Sequence, residues 1–214
     1  MEKKDESFVS VDELKKFKTM SLLCDWEIKA LAMGGKLIDP FVDHAVKEEN
    51  GKKIFSYGLG SYGYDIRLSP KQCMLFGGNG SGDCNPKNFE PSILKETDLK
   101  TDEYGDYFLL PPYGYCLCVA HERLTLPEDI TVVACGKSSY SRSGILTNIT
   151  PAEGGWEGYL TLQISNCTSL FTRIYANEGI TQLLFYRGKP CLVSYKDRKG
   201  KYQNQPKEVV VSQV

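Results

Sequence analysis

Residues 21–194 of this 214-residue chain predict a mainly β domain, a barrel or sandwich with a short helix in front. Three observations carry that expectation. From residue 107 onward, eight segments rich in Val, Ile, Leu, Thr and Tyr succeed one another: 107–110, 115–122, 131–135, 146–150, 159–166, 172–175, 182–187 and 191–195. They are separated by Pro, Gly, Asn or Glu, a spacing that suits short strands better than a layered parallel sheet. The segment 159–166 alternates, with Leu160, Leu162 and Ile164 on one face and Tyr159, Thr161, Gln163 and Ser165 on the other. Only 22–33 sustains apolar residues at helical spacing.

In chain order, residues 1–20 form a charged extension with a helical turn near 11–17. Ser21 is placed to cap a helix starting at Leu22, in which Leu22, Leu23, Trp26, Ala30, Leu31 and Met33 recur and which Gly34-Gly35 stops. An apolar connector at 37–42 leads to a polar, hairpin-like interval at 47–53. The strand 61–68 puts Tyr64, Ile66 and Leu68 on one side and Asp65 and Arg67 on the other. Residues 77–82, Gly-Gly-Asn-Gly-Ser-Gly, read as a loop, and no helical pattern comes after them to make a phosphate fingerprint. The final segment, 195–214, is a separate tail whose basic, aromatic start at 195–205 is either disordered or folds down over something anionic.

Composition narrows the function. A net charge of -1 argues against a broad basic face for duplex nucleic acid, and no run of about 18 apolar residues predicts a membrane span. Eight cysteines accompany a charged N-terminus without an apolar signal core, which points to a reducing cytoplasm and mostly buried free thiols. The His-x-Glu and Pro-Cys-x-x-Cys pattern of zinc deaminases is missing, and His44 and His121 are the sole histidines.

The stretch Gly136-Lys137-Ser138-Ser139-Tyr140-Ser141-Arg142-Ser143-Gly144 packs hydroxyls and cations between two glycines. A Walker loop is excluded, because position 131 is Thr and the residues after Ser139 lack a helical pattern. Two readings remain: a loop that holds phosphate oxygens, or a polar turn between strands. The tail is likewise either a solvated terminus or a segment that contacts single-stranded nucleic acid through Tyr195 and Tyr202. Glu153 and Glu157 are the carboxylates nearest the alternating strand, while Gln163 is best aimed but cannot take a proton at neutral pH.

Five motifs, in order, add a resemblance. Ser61-Tyr62-Gly63-Tyr64-Asp65-Ile66-Arg67-Leu68, Gly136-Lys137-Ser138-Ser139-Tyr140-Ser141-Arg142, Trp156-Glu157-Gly158, Ile174-Tyr175-Ala176-Asn177-Glu178-Gly179-Ile180-Thr181-Gln182 and Asp197-Arg198-Lys199-Gly200-Lys201-Tyr202-Gln203 closely resemble the dCTP deaminase family, across residues 37–205. That resemblance implies a homotrimer of distorted, jelly-roll-like β-barrels of the dUTP diphosphatase type, with sites at subunit interfaces. It implies hydrolysis of dCTP to dUTP and ammonia for thymidine-nucleotide supply, with Mg²⁺ carried on the triphosphate, no zinc, and dTTP as feedback ligand.

By the same resemblance, Lys137, Ser138, Ser139, Tyr140, Ser141 and Arg142 cradle phosphate, and Ser138 and Arg142 also order the water and base. Thr161 and Leu162 contact cytosine through their backbone, and Trp156 shapes the pocket. Gln182, Tyr195, Lys201 and Gln205 hold the triphosphate from the far side, and the C-terminal tail closes over the nucleotide. Gln163 stands where the family places its catalytic glutamate, so the site should bind nucleotide while lacking its base. Glu153 lies near the water-activating aspartate of dUTP diphosphatases, which leaves a bifunctional enzyme forming dUMP open. A non-catalytic nucleotide-binding homologue is the other alternative.

Overall fold

A computed structural model describes residues 21–77 and 83–214. The turn expected near 11–17 and most of the 77–82 loop therefore lie outside the described residues. The helix α1 (Asp25–Met33) starts three residues later than a Ser21 cap predicts. Leu23 is the reason: its N–H donates to Phe185 O at 2.8 Å and its side chain is fully buried, so this residue extends along the sheet instead of entering a helix. Cys24 becomes the N-cap, with its N–H donating to Glu27 Oε2 at 3.2 Å. The buried positions are Glu27, Ile28 and Ala32, while Trp26 and Met33 face outward, which corrects the expected apolar stripe. Gly34 and Gly35 end the helix as expected.

The strands come in the order β1 (Leu37–Asp39), β2 (Ala45–Glu49), β3 (Lys52–Leu59), β4 (Tyr64–Phe76), β5 (Leu94–Glu96), β6 (Lys100–Thr101), β7 (Asp106–Leu110), β8 (Tyr115–Thr125) and β9 (Ile130–Gly136). After a short helix, α2 (Ser138–Arg142), come β10 (Ile145–Asn148), β11 (Glu157–Asn166), β12 (Thr172–Tyr175) and β13 (Gly179–Arg187). Ten strands make one antiparallel sheet along the path β10-β11-β8-β4-β13-β9, with β1 on β8, β2 and β3 beside β4, and β5 on β4. β9 and β10, at the two ends of that path, touch again, so the sheet curls on itself around the core. A second sheet, β12-β7-β6, packs alongside. The mainly β architecture thus matches the expectation.

β4 makes the curl possible. Its first half pairs with β3 and β13 and its second half with β5, while its pairing to β8 shifts between Leu68 and Cys73. Pro70 lies in that irregular stretch, where a missing ladder N–H costs least. The strand starts at Tyr64 and not at 61, because Gly63 turns at φ +101° with its α-carbon against β13. A β-carbon there would come within 2.4 Å of Leu183 O.

Two further expectations fail. Residues 191–195 form bends and a turn and no strand. Leu192 is fully exposed there, so nothing rewards an extended pairing. Residues 138–142, expected to lack helix, form α2, because Tyr140 is drawn into the core and Ser141 N–H bonds Lys137 O at 2.9 Å. Tertiary anchoring overrides weak propensity here. The tail lies against the chain's own sheet at Gln205, Val209 and Val210: Gln205 bridges Gly158, Val209 N–H donates to Gln72 Oε1 and Val210 N–H to Thr161 Oγ1. All eight cysteines are free, but Cys84, Cys167 and Cys191 are exposed, and only Cys73, Cys116 and Cys118 are buried. Among the described residues no helix is long and apolar enough to cross a membrane.

Candidate active site

The candidate anion-binding end grows from the end of β9. Gly136 is the cross-strand partner of Thr181 on β13, and Cys135 that of Gln182, so Lys137 leaves the sheet directly beside Gln182. Gln182 in turn faces Asp65 on β4, and Lys137 Nζ reaches Asp65 Oδ2 at 2.5 Å. Burial raises the Asp65 carboxyl, and the ammonium opposes that shift. Lys137 is therefore held by the sheet before any ligand arrives.

One turn later Tyr140 pins the loop. Its hydroxyl accepts from Tyr175 N–H at 2.8 Å, its ring packs on Phe55 with centroids 4.5 Å apart, and burial pushes its phenol far up. The Tyr140 side chain belongs to the core, so any part this residue takes in the loop is through its backbone. Ser138, Ser139, Ser141 and Arg142 are left exposed around it, four polar groups on a fixed turn. A cavity of about 400 Å³ adjoins them, lined by Lys47, Glu48, Lys53, Ile54, Phe55, Ser56, Lys137 and Ser139. The β2-β3 hairpin thus adds Lys47 and Lys53 to the cationic surroundings. Charge pattern at 47–53 is the signal that could have found them.

The second part of the site is the outer face of β11. Gln163 is half-buried there, across from Leu117 on β8 and Asn148 on β10, on the opposite face from the buried Leu162 and Ile164. Its Nε2 donates to Thr161 O at 3.1 Å. Thr161, itself buried, accepts Val210 N–H on its hydroxyl at 3.3 Å, so the tail covers this face. Gln163 is not among the residues that line the loop cavity. The two parts are linked through β10, since a β-carbon on Gly136 would lie 3.8 Å from Thr147 N, and Asn148 next to it is the cross-strand partner of Gln163.

The tail residues gather at the second cluster. Tyr159 N–H donates to Gln205 O at 3.1 Å, and Asn204 N–H to Glu157 O at 2.8 Å. Trp156 is buried, with its indole N–H on Tyr202 O at 2.8 Å. The Tyr195 hydroxyl accepts Tyr202 N–H at 3.1 Å, and its ring lies so close to Gly200 that a β-carbon there would come within 2.2 Å. Lys201 Nζ donates to Gln213 O at 2.6 Å. So Trp156, Tyr195 and Gln205 form one packed unit with β11, Lys201 lies exposed beside it, and Gln182 stays with the loop.

Of the two carboxylates weighed as proton acceptors, Glu157 is tied to Arg123 in an ion pair and Glu153 is exposed near Trp156. Sequence reasoning missed His121, half-buried on β8. Burial first, then Arg67 and the tail's Lys207, lower it to about 4. Nothing in a lone histidine's sequence context signals that.

Comparison with known proteins places these residues in a family setting. A family model described as dCTP deaminase-like matches residues 22–188. The dCTP deaminase of Acidovorax sp. (strain JS42) is 43% identical over 187 residues, covering 87% of this chain and 96% of that protein. That of Protochlamydia amoebophila (strain UWE25) is 44% identical over the same coverage. The crystal structure of 2'-deoxycytidine 5'-triphosphate deaminase from Agrobacterium tumefaciens superposes with a TM-score of 0.56 at 22% identity. The match covers 80% of this chain and about half, 49%, of that one, a likeness of fold.

Proposed function

Because this chain belongs to the dCTP deaminase-like family, we propose that it binds dCTP and presents the framework for its hydrolytic deamination to dUTP and ammonia. The observation that carries the proposal is that the family match, at 43–44% identity to curated relatives, runs through both clusters, the 137–142 loop and β11. In this reading Lys137, Ser138, Ser139, Ser141 and Arg142 take the triphosphate, with donors on a turn that Tyr140 already holds. Mg²⁺ enters on the triphosphate as part of the substrate; the loop's hydroxyls and cations suit phosphate oxygens and offer the ion no ligand set of their own. Gln182 steadies the loop side, and Tyr195, Lys201 and Gln205 close from the tail.

Deamination requires water to add at C4 of the ring and a base to take its proton. Position 163 stands beside the Thr161 carbonyl, which the glutamine amide now satisfies. A carboxylate there would face that carbonyl at close range in a half-buried setting, which raises its pKa toward the operating range of a general base. Glutamine keeps the shape and loses the proton acceptor. A homotrimer, as the family resemblance implies, would bring a second subunit to the nucleotide.

The hydrogen bond from Gln163 to Thr161 favours one second reading, a nucleotide-binding homologue without turnover, which dTTP would suit as well as dCTP. Offering dCTP to the chain and to Gln163→Glu, with products separated by chromatography, tests the proposal. Formation of dUTP and ammonia by the Gln163→Glu variant, with little from the parent, is expected. Appearance of dUMP would shift the assignment to a combined deaminase and diphosphatase using Glu153. Binding without product in both chains would favour the non-catalytic homologue, and absence of binding would overturn the proposal.

A further inference from the structure

Behind the β11 face, on the core side of the sheet, three cysteines converge. Cys116 and Cys118 stand two apart on β8, on either side of Leu117, the residue that faces Gln163. Cys73 on β4 is the cross-strand partner of Cys118. All three are fully buried. Same-face residues two apart on a strand are separated by about 6.7 Å along it. Yet the sulfurs of Cys116 and Cys118 are 3.7 Å apart, and all three Sγ atoms lie within 4.8 Å of one another. The backbone does not impose that approach; it comes from side chains turned toward a common point.

The spacing has a chemical meaning. Three sulfurs at a metal–sulfur distance of about 2.3 Å around a trigonal centre are spaced by about 4 Å. Charge then selects among soft ions, since a net charge held in the apolar core without a partner is costly. Three thiolates leave two negative charges around Cu(I), one around a divalent d¹⁰ ion, and none around a trivalent centre. We propose that Cys73, Cys116 and Cys118 form an all-sulfur, three-coordinate site for a thiophilic metal or metalloid ion, with trivalent arsenic the best match and Cd²⁺ the weaker one.

Binding of arsenite, As(OH)₃, breaks three As–O and three S–H bonds and forms three As–S bonds and three waters. No electron is transferred. With Cd²⁺ the three thiol protons pass to the buffer. Either ion would tie β4 to β8, and entry requires transient opening of the core, so loading is slow.

Native mass spectrometry of the full chain with arsenite, and separately with Cd²⁺, tests this. One arsenic per chain with loss of three thiol protons is expected, together with a rise in Tm and a smaller rise with Cd²⁺. Both should persist when the exposed Cys84, Cys167 and Cys191 are replaced by Ser, and Cys73→Ala should weaken binding at least tenfold. If Cys73→Ala does not fold, X-ray absorption on the arsenic-loaded triple-Ser chain decides: a shell of three sulfurs supports the site, and a shell containing oxygen overturns it. Loss of the adduct in the triple-Ser chain, or displacement of only two thiol protons, also overturns it.

Discussion

The 137–142 loop and the outer face of β11 are held in place in opposite ways. The loop is fastened from below by buried groups: the Tyr140 ring in the core, its hydroxyl on Tyr175 N–H, and the Lys137–Asp65 pair. The β11 face is covered from above by residues 205–213 through single hydrogen bonds such as Val210 N–H on Thr161 and Val209 N–H on Gln72, and through the exposed Lys71–Glu208 pair. Exposed pairs of that kind are worth at most about 1 kcal/mol. The loop proposed to take the triphosphate is therefore anchored in the core, whereas the β11 face is covered from outside by a segment whose contacts include exposed ones.

Position 163 separates the two regions most strongly. Replacing Gln163 by Glu should raise the rate of ammonia release from dCTP by about 10²–10⁴, since a positioned general base contributes that much; a coupled ammonia assay reads it. Next is the loop's foundation. Asp65→Ala leaves the Lys137 ammonium, which is only 12% exposed, without its partner, and should cost about 3 kcal/mol in urea unfolding. Tyr140→Phe removes the acceptor of a backbone N–H, and about 2 kcal/mol of stability should go with it, seen as a lower urea midpoint at unchanged slope. If Asp65→Ala and Tyr140→Phe prove neutral, the loop is not anchored in the way described.

The smallest effect belongs to the covered face. His121 is lowered to about 4 in the folded chain, by burial first and then by Arg67 and Lys207, against about 6.5 when unfolded. The neutral form is therefore favoured in the fold. Its stability contribution is complete above about 6.5 and is lost as pH falls toward about 4. The side chain is only half-buried, so screening discounts the effect to about 1 kcal/mol. His121→Gln should flatten the pH dependence of Tm between those values, and an unchanged slope would assign the acid response elsewhere.

Strand positions were legible wherever side chains alternate, as in 159–166, or where β-branched residues cluster, as in 172–175, because a half-buried pleated surface imposes those patterns. The hydroxyl-and-cation content of 136–144 is legible in the same local way, as a polar segment that leaves the sheet. What stayed hidden was set by distant partners. Leu23 leaves the helix because Phe185 offers it a carbonyl, and α2 exists because Tyr140 finds Phe55 and Tyr175. Residues 191–195 have strand composition, yet with Leu192 fully exposed the segment bends, and single backbone bonds, such as Tyr195 N–H to Gly154 O, fasten it.

Nucleotide binding at the prebuilt loop is best probed by calorimetric titration of dCTP with Mg²⁺ into the chain that carries Gln163, and into its Arg142→Ala variant. One nucleotide per chain is expected for the parent, with affinity falling at least tenfold when the Arg142 guanidinium is removed from the loop. No binding to the parent, or equal affinity in the two chains, would contradict the account.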